Sequence, residues 1–142
     1  MINDTISITG KLKCVLTNPD GTIAESKYCN MVMTSGRVLI AQFLSNQKPA
    51  GITEMAVGTD ATVCNVAQTA LVSEVYRKQL NSSINDNNIC IVDCVYGEGE
   101  AVGYLREAGL FNEDGVMVSR ALITIDKGIY QQLTISWQIT IA

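Results

Sequence analysis

Two carboxylates standing two residues apart, Glu98 and Glu100 in "YGEGEAVG", come nearest to a catalytic pair in this sequence. In an extended segment both project to the same side. Paired carboxylates serve glycoside hydrolysis or hold a metal ion. Glycines surround both, however, which fits a solvated loop between strands better than a rigid site. The second charged feature is Arg106 beside Glu107 in "GYLREAGLF", where a cation and an anion stand among apolar residues. Nothing nearby completes a nucleophilic triad, because the chain has no histidine to act as base.

The five cysteines, Cys14, Cys29, Cys64, Cys90 and Cys94, are odd in number and form no CxxC. In one strand Cys90 and Cys94 would lie roughly 13 Å apart, too far to bond. All five read as small buried hydrophobes. The acidic turns "NPDG", "NDNN" and "NEDG" lack the regular oxygen spacing of a calcium loop, and turn chemistry accounts for each. Gly97, Gly99 and Gly103 precede no helix, so they offer no phosphate cradle. The sequence therefore assigns no catalytic residue, no cofactor and no metal ligand.

The elements that carry these residues are mostly strands. Residues 5–17 alternate, with Ile6, Ile8, Leu12, Cys14 and Leu16 on one face and Thr5, Ser7, Thr9, Lys11, Lys13 and Thr17 on the other. The "NPDG" turn then leads back through residues 22–33. A three-residue loop with a glycine bulge sets Leu12 opposite Tyr28 and Ile8 opposite Val32, which keeps one apolar face. That register also sets Lys13 against Lys27, unfavourable unless Glu25 lies diagonally between them. "TSGRVLIAQFLSNQ" breaks the alternation and predicts a short helix over about 36–45, with Ser35 as its cap. "ITEMAVG" is a strand and "TDATVCNVAQT" a loop. "ALVSEVYRKQLNSS" is one helical turn that becomes a strand by Val75.

"ICIVDCVYG", "GYLREAGLF" and "VMVSRALITI" are strands. The last strand places Leu133, Ile135, Trp137, Ile139 and Ile141 on one face. In "GYLREAGLF" an unbroken strand gives one face Tyr104, Arg106, Ala108 and Leu110, and the other Leu105, Glu107, Gly109 and Phe111. Many short strands with frequent turns predict a mainly β, antiparallel sandwich or jelly-roll-like domain with an N-terminal hairpin.

At 142 residues the default is a single domain, 1–142, comprising the hairpin or arm (5–33) and a β-domain (34–142). Charged residues make up only 17%, against about a quarter in typical domains. That fits a well-buried protein or a subunit that hides surface in an assembly. A net charge of −4 without a basic run argues against nucleic-acid binding. No apolar run reaches membrane-span length, and "MINDTISITG" lacks signal-peptide character. The expected site of synthesis is a cytoplasm. The charges near apolar runs, Glu74, Arg77, Arg106, Glu107 and Arg120, are candidates for intrachain ion pairs or subunit contacts. Glu74 and Arg77 are the nearest partners in view for Arg106 and Glu107.

"MVMTSGRVLIAQFLS", "ITEMAVGTD", "QTALVSEVYRKQLNS", "GYLREAGLFNEDG" and "LTISWQITIA" occur in an order and spacing that resembles the N-terminal domain of phage tail-collar fibre proteins and related small virion proteins. The resemblance covers about residues 31–142, and the N-terminal hairpin departs from it. It implies a non-enzymatic structural component of a bacteriophage virion, assembled in the host cytoplasm. In this reading the chain is a self-standing attachment module at the tail, collar or baseplate that holds a fibre or neighbouring subunit. The expected partners are other virion proteins and copies of itself, a trimer by analogy with phage fibres. Capsid decoration and a carbohydrate-binding β-domain are the alternatives.

Overall fold

The computed structural model describes residues 5–142. Among the described residues, nine antiparallel strands and one helix follow in chain order: β1 (Ile8–Thr17), β2 (Ile23–Val32), α1 (Thr34–Leu44), β3 (Ile52–Gly58), β4 (Glu74–Gln79), β5 (Ser82–Asp86), β6 (Ile89–Tyr96), β7 (Gly103–Asn112), β8 (Met117–Lys127) and β9 (Gln132–Ile141). They form one sheet in the order β4-β3-β7-β8-β2-β1-β9-β6-β5. The sheet curls so that its halves face each other, as the sandwich-like pattern predicts. Leu12, Cys94, Ile135 and Trp137 from one half share a core with Met55, Leu105, Leu110 and Ile123 from the other.

Two joints hold the curl. At one, β2 meets β8 through only three residue pairs, Asn30–Val32 against Ser119–Ala121. At the other, β4 and β5 are separated by just Leu80 and Asn81, yet they occupy opposite ends of the strand order. A single extended segment thus leaves one half and enters the other. The buried Tyr96 hydroxyl donates to Met55 O (2.9 Å) across the interior, which satisfies its polar end inside an apolar core.

The first hairpin has the predicted register. Leu12 pairs with Tyr28 and Lys13 with Lys27. Lys13 Nζ lies 3.7 Å from Glu25 Oε2, so the diagonal carboxylate engages Lys13. The β1–β2 pairing ends at Gly10–Asn30, so the predicted Ile8–Val32 pair does not form. Ile8 instead faces Ile141 of β9, while Val32 turns to β8. Residues 5–7 precede the strand, although Ser7 and Ala142 exchange both backbone bonds at 2.9 Å. In β9 the predicted face is buried from Leu133 to Ile139, and Ile141 is 42% exposed.

Three local expectations give way. The helix spans Thr34–Leu44, and Ser35 lies inside it. The Ser35 hydroxyl donates to Met117 O (2.5 Å) and ties α1 to β8 instead of capping the helix. Residues 70–73 form bends and no helical turn, because their amides are held from outside (below). In β7 the alternation breaks. A register shift between Leu105 and Glu107 matches two β7 steps with three on β8, from Leu122 to Ile125. An extra residue of this kind changes which face follows. Leu105 therefore shares the interior with Ala108 and Leu110, while Phe111 packs with Leu71 and Met117 in a second cluster.

All five cysteines are free. Cys14 and Cys94 are buried, and burial pushes the Cys14 thiol up to about 12. Cys29 is exposed, contrary to its reading as a core residue, because it pairs with Lys11 and shares the hairpin face of Lys13 and Lys27, opposite the face of Leu12 and Tyr28.

Candidate functional site: a buried ion pair that pins a loop

The loop from Thr59 to Ser73 crosses the face of β3, β7 and β8 that points away from the main core. Leu71 packs there with Phe111, Met117, Met33 and Ala56. β7 is therefore covered on both faces, and Glu107 and Arg120 fall under the loop.

Both side chains are wholly buried. Arg120 Nη2 and Nε donate to Glu107 Oε1 at 3.1 and 3.2 Å. The rest of each group is directed at the loop. Glu107 accepts from the backbone amides of Val72 (2.8 Å), Ser73 (2.7 Å) and Asp60 (3.3 Å). Arg120 Nη1 donates to Thr62 O (2.7 Å) and Gln68 Oε1 (3.4 Å), and lies 3.4 Å from Cys64 Sγ. Arg120 Nη2 also reaches Asp60 O at 3.5 Å. The carboxylate thus collects loop N–H groups, and the guanidinium collects loop carbonyls. Buried backbone groups need such partners, and a loop without a strand ladder must find them in side chains. Within the loop, the Thr62 hydroxyl and amide hold the Asp60 carboxyl below its usual range.

The five predicted residues do not converge. Glu107 joins Arg120, not Arg77. Arg77 pairs with Glu74 of its own strand (2.7 Å) and stacks its guanidinium 3.8 Å from the Phe111 ring centre. Arg106 pairs with Asp126 (2.9 Å), whose side chain is 61% exposed, and also donates to Leu105 O. The expectation that Glu74 and Arg77 serve Arg106 and Glu107 is therefore wrong in its atoms. Glu107 instead binds the backbone amides of Val72 and Ser73, just before Glu74. Asp126, Cys64 and Gln68 escaped the sequence reading. The "NEDG" turn gave no usable signal for Arg120: Gly109 pairs with Arg120, diagonal to Glu107 on the same face, only after a register shift between Leu110 and Phe111 that the turn does not announce.

Glu98 and Glu100 do not form a pair. Glu98 lies exposed in the loop between β6 and β7. Glu100 turns back to accept from the Tyr76 hydroxyl (2.7 Å), the Gly97 amide (2.8 Å) and Lys78 Nζ (3.1 Å). These bonds, led by Tyr76, lower its carboxyl to about 2. The group closes the curl by tying β4 to the β6–β7 loop. Its folded pKa lies below the ordinary 4.5, so its contribution is complete above that value and disappears as pH falls towards 2. Glu100→Gln is expected to lower the melting temperature at pH 7, and native and variant curves should converge as pH drops through this window. A constant gap down to pH 2 would show that Glu100 acts by packing alone.

Chemically, the Glu107–Arg120 site can hold a shape and little else. The carboxylate is ringed by donors, and the guanidinium by acceptors. No helix among the described residues is long and apolar enough to cross a membrane. The sequence model described as phage tail-collar fibre protein, N-terminal, matches residues 24–126. The match takes in nearly all of β2 and stops in β8, whereas the motif resemblance starts at about 31 and runs through β9. It contains both members of the buried pair and the whole pinned loop. No curated protein and no solved structure matches the chain.

Proposed function

The chain belongs to the phage tail-collar fibre protein family, a structural component of phage tails, and on that premise we propose that it is a non-enzymatic attachment module. It docks at the tail, collar or baseplate, holds a fibre or neighbouring subunit, and assembles with copies of itself. The observation that carries this reading is the pinned loop. A fully buried ion pair is used to fix a segment whose Val63 (78% exposed) and Val66 (45% exposed) face outward. A rigid, partly apolar surface loses little entropy when a partner covers it, which favours a permanent structural contact.

Two measurements test the proposal. Antibody label against this protein should decorate the tail end of intact particles. Label on the shell would favour a capsid-decoration role instead. Second, Val63→Asp combined with Val66→Asp should cost little in melting temperature, since Val63 is largely and Val66 about half exposed, and should sharply reduce incorporation into particles. Normal incorporation would remove the loop as the docking face.

A further inference from the structure

The outward face of β1 and β2 gathers Lys11, Lys13 and Lys27, half of the six lysines in a chain of net charge −4. Lys13 stands directly opposite Lys27, and Lys11, paired with Cys29, lies diagonal to it. On the other side of β1, Ser136 and Gln138 of β9 flank Lys13 and Lys11. These side chains line a shallow cavity of about 240 Å³. All three lysines are exposed, and no described element packs over them.

Like charges held opposite each other on paired strands are unfavourable. A single carboxylate offsets them here, Glu25 at 3.7 Å from Lys13. Asp93 lies two strands from Lys13, across β9, and accepts from the Ser82 hydroxyl (2.9 Å). Lys11 and Lys27 have no ion-pair partner among the described residues. The three lysines and Glu25 thus form a seat with two positive charges in surplus.

The β7–β8 hairpin carries the matching surface. Glu113 and Asp114 are exposed at its tip. The buried Asn112 fixes that tip. Its Oδ1 accepts from the amides of Asp114 (3.0 Å) and Val116 (2.9 Å), and its Nδ2 donates to Ala50 O (3.2 Å). Two carboxylates are therefore presented on a rigid projection. They do not reach the lysines of their own molecule. Lys27 stands five residues before Val32, which pairs with Ser119, and Asp114 lies five residues farther in the same direction. Ten residues of extended chain span about 30 Å.

We propose that the acidic tip of one copy sits on the lysine seat of a second copy. The reading rests on self-assembly of the chain and names one contact for it. Tip and seat match in charge, two negative against two positive. Both are held by backbone pairing or by Asn112, so little conformational entropy is lost when they meet. Ser136 and Gln138 add hydrogen-bond donors beside the lysines for the carboxylate oxygens. Tip and seat are different patches, so each copy offers its tip to one neighbour and its seat to another, the arrangement that closes cyclic rings.

A zero-length carbodiimide, which joins a lysine amine directly to a carboxylate, tests the contact. In an equal mixture of unlabelled and isotope-labelled protein, peptides holding Lys11, Lys13 or Lys27 should be joined to the peptide holding Glu113 and Asp114, with one member labelled and the other not. In sedimentation equilibrium, K11E/K27E and E113K/D114K should each weaken association roughly tenfold or more, because attraction becomes repulsion. The chain carrying all four swaps should associate like the native one, and added salt should weaken both. Every substituted side chain is exposed, so melting temperatures should confirm folded variants. A native monomer at every concentration overturns the contact and self-assembly together. An oligomer indifferent to these swaps overturns this contact and leaves self-assembly standing. An unchanged oligomer that loses incorporation into particles on K11E/K27E assigns the seat to another virion protein and overturns a second copy as its occupant.

Discussion

Arg120→Ala is expected to lower the unfolding free energy by about 3–5 kcal/mol, the usual cost of leaving one member of a buried ion pair alone. For a domain of this size that is roughly 10 °C or more in melting temperature. Glu107 cannot escape the cost by reaching water, because it is wholly buried. The more telling variant is Glu107→Leu with Arg120→Met. Replacing a buried pair by apolar groups of similar size is often neutral. It should not be neutral here, because the pair's remaining bonds go to the backbone of Asp60, Thr62, Val72 and Ser73. Each orphaned buried group costs about 1–3 kcal/mol unless the loop lifts into water. The double variant should therefore stay destabilised and expose the 59–73 segment to protease, with fast hydrogen exchange at the Val72 and Ser73 amides. Native-like stability of the double variant would mean that the pair holds only itself.

What was legible in the sequence followed from period and turn chemistry. The hairpin register could be read because only one loop length keeps Leu12, Tyr28 and Cys14 on a common apolar face. The mainly β class and β9 followed from strict alternation. What was not legible depends on contacts between distant segments. Ser35 looks like a cap until Met117 O is brought beside it. The turn expected at residues 70–73 does not form, because Glu107, some thirty-five residues later, claims its amides. The phase change in β7 arises from an extra residue on β8, which nothing in "GYLREAGLF" announces. The two charges of that stretch then have opposite fates. Glu107 goes under the loop with Arg120, and Arg106 goes to the rim with Asp126. Adjacent residues cannot reveal this until the fold says which face the loop covers.

Gly58→Ala is expected to destabilise by up to about 3 kcal/mol, the upper part of the range for overpacking, although it adds one methyl group. Gly58 ends β3, at a register irregularity against β4. A Cβ there would collide with the Ser73 carbonyl and come within 2.5 Å of Glu107 Oε2. The first contact is backbone and cannot rotate away. The second displaces the carboxylate from the Val72 and Ser73 amides. The substitution thus attacks the clamp from the side opposite Arg120. Its effect should be less than additive with Glu107→Ala, which removes one of the two clashes and leaves the other. Gly51→Ala provides the contrast, since nothing lies within 4 Å of its added carbon and its φ is not positive. There the lost unfolded-chain entropy should stabilise by roughly 0.4–1 kcal/mol. Thermal or urea unfolding of Gly51→Ala, Gly58→Ala, Glu107→Ala and the Gly58→Ala, Glu107→Ala double measures all three quantities. Full additivity would show that Gly58 makes room for Ser73 alone, and that the close approach to Glu107 plays no part in why this position lacks a side chain.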